Sequence, residues 1–362
     1  MSRRKDPAGR AGGDLWPRIV SVGTANPERR YRQKELVDLF RCEDPLLTQF
    51  FTTSHIETRH LVLPEPGPDG RMPVEDGTAL LAKHRKYSLQ VGGEAIGKCL
   101  GARGLAPSDV DFLVAVTTTG MLCPSLSALM AAHLGMRRDV QRIDLVGMGC
   151  NAGVNGLFSA ARFAKANPGR NVLLLSSEIC SAGYVFDMTV RTAVVNSLFG
   201  DACSAVLLRA DPAGSWSDGP MLLDFESYLV HEAAQDMRFD FENGLWSFYL
   251  NRDIPYKIGA AIEKPVDALL SRNGLKRRDV DHWLVHSGGK KVIDSVKYNL
   301  KLTDWDIRHT RSVLRNFGNI SSSAVLFSYQ ELSREGVARE GDVGVVIAMG
   351  PGVSLETGLL HW

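Results

Sequence analysis

No stretch of the chain approaches the roughly 18 consecutive apolar residues that a membrane-spanning helix needs. Charge of one sign is also missing, since 42 Lys and Arg stand against 41 Asp and Glu, a formal net charge of +1. That balance gives no global pull toward nucleic acid or anionic lipid, so neither nucleic acid nor a membrane is expected as a partner. Closely spaced cysteines are absent: the six, at positions 42, 99, 123, 150, 180 and 203, are all more than twenty residues apart. This excludes zinc knuckles and thioredoxin-type motifs. His55-Ile-Glu-Thr-Arg-His60 is not the HExxH of zinc hydrolases, and no GxxxxGKS phosphate loop occurs. The N-terminal residues carry positive charge without the apolar centre of a secretion signal. Residues 1–17 are therefore expected as a disordered tail, the location as cytoplasmic, and the thiols as free. What remains is ordinary globular composition, 44% hydrophobic and 23% charged over 362 residues. That length suggests about two domain-sized units and a core that needs no disulfide or metal.

The most informative feature present is an internal duplication. Gly104-Leu105-x-x-x-Asp109-Val110-Asp111 reappears 170 residues later as Gly274-Leu275-x-x-x-Asp279-Val280-Asp281. Each copy runs into an apolar segment with the character of a strand, Phe112–Val116 and Trp283–Val285. At the same offset the turn Gly147–Cys150 falls on Phe317–Ile320. Both turns open segments with helical apolar spacing, Val154, Leu157, Phe158, Ala161 and Val325, Leu326, Tyr329, Leu332. Third apolar strands follow at Asn171–Leu175 and Val343–Ile347. Continuous apolar strands alternating with helices imply sheets covered on both faces. The expectation is an α/β protein with two halves back to back in five layers, residues 18–210 and 211–362. Asp211 to Asn251 reads as the least regular stretch, lying between the halves.

Three residues could carry chemistry. Cys150 follows two glycines and precedes a helix rich in small residues. A thiol at a helix N-terminus has its pKa lowered and becomes a nucleophile; a structural cysteine in a packing turn is the equal alternative. His286, in Leu284-Val-His-Ser-Gly-Gly289, ends a strand where it could pair with a thiolate or serve as a satisfied polar group. Asn319, in Asn316-Phe-Gly-Asn-Ile-Ser321, is either a helix cap or a neutral donor to an oxyanion. Symmetric halves would aim the Cys150 and Asn319 turns at one cleft. A competing reading takes Gly147-x-Gly149-x-x-x-Gly153 as a stretched dinucleotide fingerprint, with Glu178 as the ribose-binding acid.

From about Ile19 to Leu360 the chain resembles the thiolase-fold condensing enzymes, and among them the type III polyketide synthases of the chalcone synthase kind. The motifs are Gly149-Cys150-x-Ala152-Gly153, Leu198-Phe-Gly-Asp201, His286-x-Gly-Gly289, Gly318-Asn319-x-Ser321-Ser322, and Gly350-Pro-Gly352 followed by Glu356. The resemblance implies a thiolase-like αβαβα fold and a catalytic triad of Cys150, His286 and Asn319. It implies gatekeepers Phe199 and Phe248, the latter aligned through Asp253-Ile-Pro255, and cavity-lining Thr118, Thr119 and Ser321. Cys123 falls where the family lends a side chain across a dimer interface, and Arg59 on the basic cluster that binds the phosphates of CoA. The sequence departs from the family with Ser287 in place of Pro, Ala348 in place of Gly, and Glu57 where a cation is common. The implied substrates are CoA thioesters, with malonyl-CoA as starter and extender and no metal or redox cofactor. A homodimer and auxiliary pathway enzymes are the expected partners. Within the family, the stretches around His286 and Asn319 look most like bacterial members that close the chain to a dihydroxyphenylacetyl ring. Other starters or products on the same fold, and carrier-protein-dependent ketoacyl synthases, remain alternatives.

Overall fold

The computed structural model describes residues 15–187, 189–211, 214, 218–242 and 244–362. In the first half the strands are β1 (Arg18–Ala25), β2 (Arg30–Arg32), β3 (Thr58–His60), β4 (Phe112–Thr117), β5 (Gln141–Val146), β6 (Val172–Glu178) and β7 (Ala202–Arg209). The helices between them are α1 (Gln33–Leu39), α2 (Pro45–Thr52), α3 (Gly77–Gly101), α4 (Leu126–His133), α5 (Ala152–Ala166) and α6 (Val190–Leu198). The second half holds β8 (Met221–Leu229), β9 (Met237–Glu242), β10 (Leu245–Leu250), β11 (His282–Val285), β12 (Val343–Gly350) and β13 (Ser354–His361). Its helices are α7 (Ile254–Ala261), α8 (Glu263–Arg272), α9 (Lys290–Leu300), α10 (Arg308–Phe317) and α11 (Ala324–Glu335).

Among the described residues nine strands are connected in the order β11-β12-β13-β8-β1-β7-β6-β4-β5. The join between β8 and β1 is a single pair, Arg18 with Met221. On either side of it the pairing repeats. β4 is parallel to β6, β6 antiparallel to β7, and β7 antiparallel to β1. In the same sense β11 is parallel to β12, β12 antiparallel to β13, and β13 antiparallel to β8. The repeated sequence explains the repeated geometry. Gly104 and Gly274 turn the chain with φ of 65° and 69°, a conformation that favours a residue without Cβ. Asp109 and Asp279 each accept from the backbone N–H three residues back, at 2.8 Å in both copies. Asp111 and Asp281 then accept from the backbone at the start of the neighbouring strand, Asn171 N at 2.9 Å and Val343 N at 3.0 Å.

The five layers follow from burial on both faces of each sheet. α5 and α11 share one apolar core with the inner faces of β4, β6, β12 and β13, including Val154, Leu157, Leu174, Val325, Leu326 and Val346. Small residues let α5 sit this close, and a Cβ on Gly156 would lie 2.6 Å from Leu174 Cδ1. α3 and α4 cover the outer face of the first sheet through residues such as Ile96, Met130 and Leu173. Ile258, Val266, Ile293 and Val296 on α7, α8 and α9 cover the outer face of the second.

Some expectations need correction. Among its described residues the stretch from Asp211 to Asn251 is not irregular: it contains β8, which joins the second half to β1, and the antiparallel pair β9 and β10, while residues 212–213, 215–217 and 243 lie outside the described residues. Mixed burial along β8 left no continuous apolar run to read. Of the expected tail, residues 1–14 lie outside the described residues. Trp16 and Pro17 belong to the fold: Lys165 Nζ sits 3.5 Å above the Trp16 ring, and Pro17 O accepts from Leu222 N at 2.8 Å. Phe158 was assigned to the buried face of α5 but is 42% exposed, edge-on to Phe225.

Candidate active site

Cys150 lies in a 3-10 turn, Gly149–Asn151, that leads into α5. Three glycines around it permit approaches that a side chain would forbid. A Cβ on Gly149 would lie 1.9 Å from Pro351 Cδ, one on Gly350 1.9 Å from Asn151 Oδ1, and one on Gly153 2.1 Å from Ser322 O. The Gly350-Pro-Gly352 loop and the Ser321–Ser323 turn are thereby seated directly on the cysteine turn. Asn151 Nδ2 donates to Ser354 Oγ at 3.2 Å, and Ser354 Oγ donates to Glu356 Oε1 at 2.9 Å. The Gly-Pro-Gly and Glu356 motif therefore braces the turn that carries the thiol. This packing also removes the dinucleotide reading, because Pro351 and Ser322 fill the space a pyrophosphate would need.

The turn equivalent by duplication presents Asn319. Its Oδ1 accepts from Ser321 N at 2.9 Å, which orients the amide, and its Nδ2 donates toward Gly288 O at 3.4 Å. Ser321 has φ of 50°, a left-handed conformation that costs a non-glycine residue about 1–3 kcal/mol. From that position Ser321 Oγ donates to Cys150 Sγ at 3.5 Å. His286 follows the end of β11, and its backbone N–H donates to Ile347 O at 2.8 Å. Its ring is buried with Nδ1 unpartnered. Gly288 lies against the ring edge, where a Cβ would be 3.0 Å from His286 Cδ2. Ser287 Oγ donates to Gly318 O at 3.4 Å and so ties the histidine turn to the asparagine turn.

Burial governs the titration here. It pushes the Cys150 thiol up to about 12, with opposing help from the Ser321 hydroxyl and the Asn319 amide and a further rise from nearby Glu178. It pushes the His286 imidazolium down to about 3. The expectation that helix position alone lowers the thiol pKa is thus corrected: desolvation of a buried thiolate outweighs a partial charge at the helix end. Each group disfavours its own lone charge.

Glu178, which the sequence suggested only as a ribose ligand, is a buried carboxyl beside the Cys150 and Ser321 turns. At the end of β6 its Oε2 accepts from Thr118 N at 3.1 Å and Thr118 Oγ1 at 3.0 Å, while Oε1 accepts from Ser322 Oγ. Burial raises it to about 7. Thr118 Oγ1 is 3.2 Å from Ser321 Oγ, so hydroxyls connect the Cys150 thiol to a carboxyl that titrates near neutrality. Thr119 accepts from Ile179 N at 3.0 Å and lies 3.2 Å from His84 Nδ1, and its hydroxyl also favours the Glu178 carboxylate. The rings of Phe199 and Phe248 meet edge to face at 5.6 Å, and Phe239 backs Phe248 at 4.9 Å. Both Phe199 and Phe248 share an apolar cluster with Cys150.

Arg59 does not suit the phosphate-binding role expected for it. Its side chain is fully buried, donating to Gln33 Oε1, Tyr184 Oη and Phe199 O. Glu57 pairs with Arg315 at the surface at 2.7 Å. Cys123 is exposed and Cys42 half-buried, while the other four cysteines are buried.

Residues 8–212 match the family model for chalcone and stilbene synthases, N-terminal domain, and residues 229–362 match the one for the C-terminal domain. The chain is similar to a 3,5-dihydroxyphenylacetyl-CoA synthase from Streptomyces toyocaensis, with 48% identity over 96% of this chain and 90% of that protein. It is 31% identical to a 1,3,6,8-tetrahydroxynaphthalene synthase from Streptomyces peucetius subsp. caesius, over 95% of this chain and 93% of that one. Among solved structures it superposes on PKS-I from the brown alga Ectocarpus siliculosus with a TM-score of 0.88 at 26% identity, covering 96% of this chain and 98% of that one. With the duplicated five-layer fold and both halves matched, the chain belongs to the chalcone and stilbene synthase family, the thiolase-fold type III polyketide synthases.

Proposed function

We propose that the protein condenses malonyl-CoA, as starter and extender, into 3,5-dihydroxyphenylacetyl-CoA. The observation that carries this reading is the 48% identity along nearly the whole chain to a synthase of that name, against 31% to a tetrahydroxynaphthalene synthase. The chemistry assigned to the site is as follows. His286 takes the Cys150 proton, and the thiolate attacks the thioester carbonyl of the first acyl-CoA, expelling CoA. A second malonyl-CoA loses carbon dioxide, and its electron pair moves onto the thioester oxygen as an enolate. His286 and the Asn319 amide donate to that oxygen. The enolate carbon then attacks the acyl group on Cys150 and releases the thiolate for the next round.

Four malonyl units give an eight-carbon chain after loss of four molecules of carbon dioxide. Attack of its terminal carbon on the carbonyl β to the thioester, with loss of one water, closes the aromatic ring. The hydrogen-bonded run of Ser321, Thr118 and Glu178 supports their moving the protons of that closure, and the apolar contact of Phe199 with Phe248 supports their keeping water from the growing chain. The same proposal includes a homodimer formed through the edge bearing exposed Met121, Cys123, Ile143 and Val146, and a cytoplasmic supply of dihydroxyphenylglycine precursor for glycopeptide-type antibiotics. The test is purified protein with malonyl-CoA alone, followed by mass spectrometry. Dihydroxyphenylacetyl-CoA or its acid is expected. A requirement for another starter, or a five-unit tetrahydroxynaphthalene product, refutes the product assignment. Dependence on an acyl carrier protein refutes the CoA-based reading.

A further inference from the structure

We propose that Arg59 is a positioning residue that locks Phe199 and Asn319 into one rigid unit. A fully buried guanidinium is costly, and an apolar side chain of similar size would pack here without that cost. Its contacts give the reason for its presence. Arg59 Nη1 donates to Phe199 O at 2.6 Å and to Tyr184 Oη at 2.8 Å, and Tyr184 Oη itself donates to Phe199 O. Arg59 Nε donates to Gln33 Oε1 at 2.9 Å, and Gln33 Nε2 donates to Ser197 O at 2.9 Å. The carbonyls of Ser197 and Phe199 are therefore held by the arginine and its two partners. The peptides between them are held by the asparagine: Asn319 N donates to Leu198 O at 2.9 Å, and Gly200 N donates to Asn319 O at 3.0 Å.

Segment 197–200 is thus a short ribbon with Arg59 on one side and Asn319 on the other. The arginine stem also touches the asparagine turn, since a Cβ on Gly318 would lie 2.8 Å from Arg59 Cδ. Burial lowers the Arg59 pKa, and Tyr184 and the nearby Asp201 offset this only in part; the Asp201 carboxyl accepts in turn from Ser181 N, Ser181 Oγ and Val62 N. None of these links reaches Cys150 directly. Loss of Arg59 should therefore disturb the step that needs a placed amide, not the step that needs a thiol.

This inference rests on the condensing-enzyme reading, so wild-type condensation of malonyl-CoA is established first; its failure would count against that reading alone. Arg59→Met and Tyr184→Phe are then compared with wild type in three measurements: acylation of Cys150 by intact mass in a single turnover, decarboxylation of malonyl-CoA, and kcat and KM for condensation. For Arg59→Met we expect acylation within about threefold of wild type. Decarboxylation and kcat should fall on the order of 10–10², the loss that follows a misplacement of about 1 Å. Arg59→Lys, which keeps one donor, should recover part of that loss. In an Asn319→Ala background Arg59→Met should add little, because both act through the same amide.

Additive effects of Arg59→Met and Asn319→Ala, or equal losses in acylation and decarboxylation, would overturn the proposal. So would a raised, salt-dependent KM with unchanged kcat, which would return Arg59 to the CoA phosphates. If Arg59→Met does not fold, Tyr184→Phe decides: a severalfold loss of decarboxylation with normal acylation supports the proposal, and wild-type decarboxylation overturns it.

Discussion

The two halves of the molecule repeat one strand order, yet their equivalent turns do different work. The turn Gly149–Asn151 presents a thiol, and the turn through Asn319 to Ser323 presents an amide and a row of hydroxyls. The backbone grammar is the same in both, down to the Asp109 and Asp279 caps and the Asp111 and Asp281 links to the neighbouring strand. What separates them is which side chain stands at the meeting point. The halves differ again at their edges. β5 ends the first half with mostly exposed residues, whereas β11 ends the second with three of its four residues buried, its core shared with α9. A duplicated scaffold thus fixes where two groups meet, and single residues decide what the groups do.

The contrast between the turns can be broken most completely at their reactive groups. Cys150→Ala should abolish acylation and product while the circular dichroism spectrum stays native. Asn319→Ala should leave acylation but slow decarboxylation on the order of 10²–10³, the usual loss for one oxyanion donor. Stalled acylation in Asn319→Ala would erase the distinction between thiol turn and amide turn. In the proposed chemistry His286 serves both turns. His286→Gln should slow iodoacetamide labelling of Cys150 at pH 7 by at least about tenfold, because the thiol is left with its burial-raised pKa and no base. Unchanged labelling by mass spectrometry would show that the helix end suffices.

The packing contrast is sharper than the sequences suggest. Gly153→Ala places a Cβ 2.1 Å from Ser322 O, a backbone atom that cannot swing away. A loss of about 1–3 kcal/mol or more in denaturant unfolding is expected. At the equivalent position of the second half, Ser323→Ala removes only hydroxyl contacts to Ser176 and Ser204. About 1 kcal/mol is expected there. A further effect concerns pH. Glu178 holds its proton to about 7 in the fold, above the ordinary carboxyl value of 4.5, because burial disfavours the anion. Its contribution to stability is therefore full below about pH 4.5 and is lost as pH rises toward 7, then constant. Glu178→Gln should flatten that part of the stability profile between pH 5 and 7.5. An identical slope in both proteins would show that Glu178 titrates normally.

Much of this was legible in the chain. The duplication could be read because its strands are buried on both faces and so appear as continuous apolar runs, and because the Gly-Leu and Asp-Val-Asp spacings repeat turn and link chemistry. Cys150 stood out because glycines permit a tight turn before a thiol at a helix start, a pattern that a nucleophile and a packing cysteine share equally. β8 escaped because its side chains alternate in environment, and the role of Glu178 escaped because its partners Thr118 and Ser322 are 60 and 144 residues away. The resemblance placed Arg59 on the phosphate-binding cluster, and only the fold shows its side chain fully buried.

The sequence by itself determined the α/β alternation, the repeated strand–turn–helix units and the candidate Cys150, His286 and Asn319, since each depends on local periodicity or on short turn chemistry. Only the tertiary structure decided the protonation balance at Cys150 and His286, the hydroxyl path to Glu178 and the inward place of Arg59. Each of these depends on burial and on groups brought together from distant segments. Desolvation is a property of a folded interior, and no local pattern encodes it.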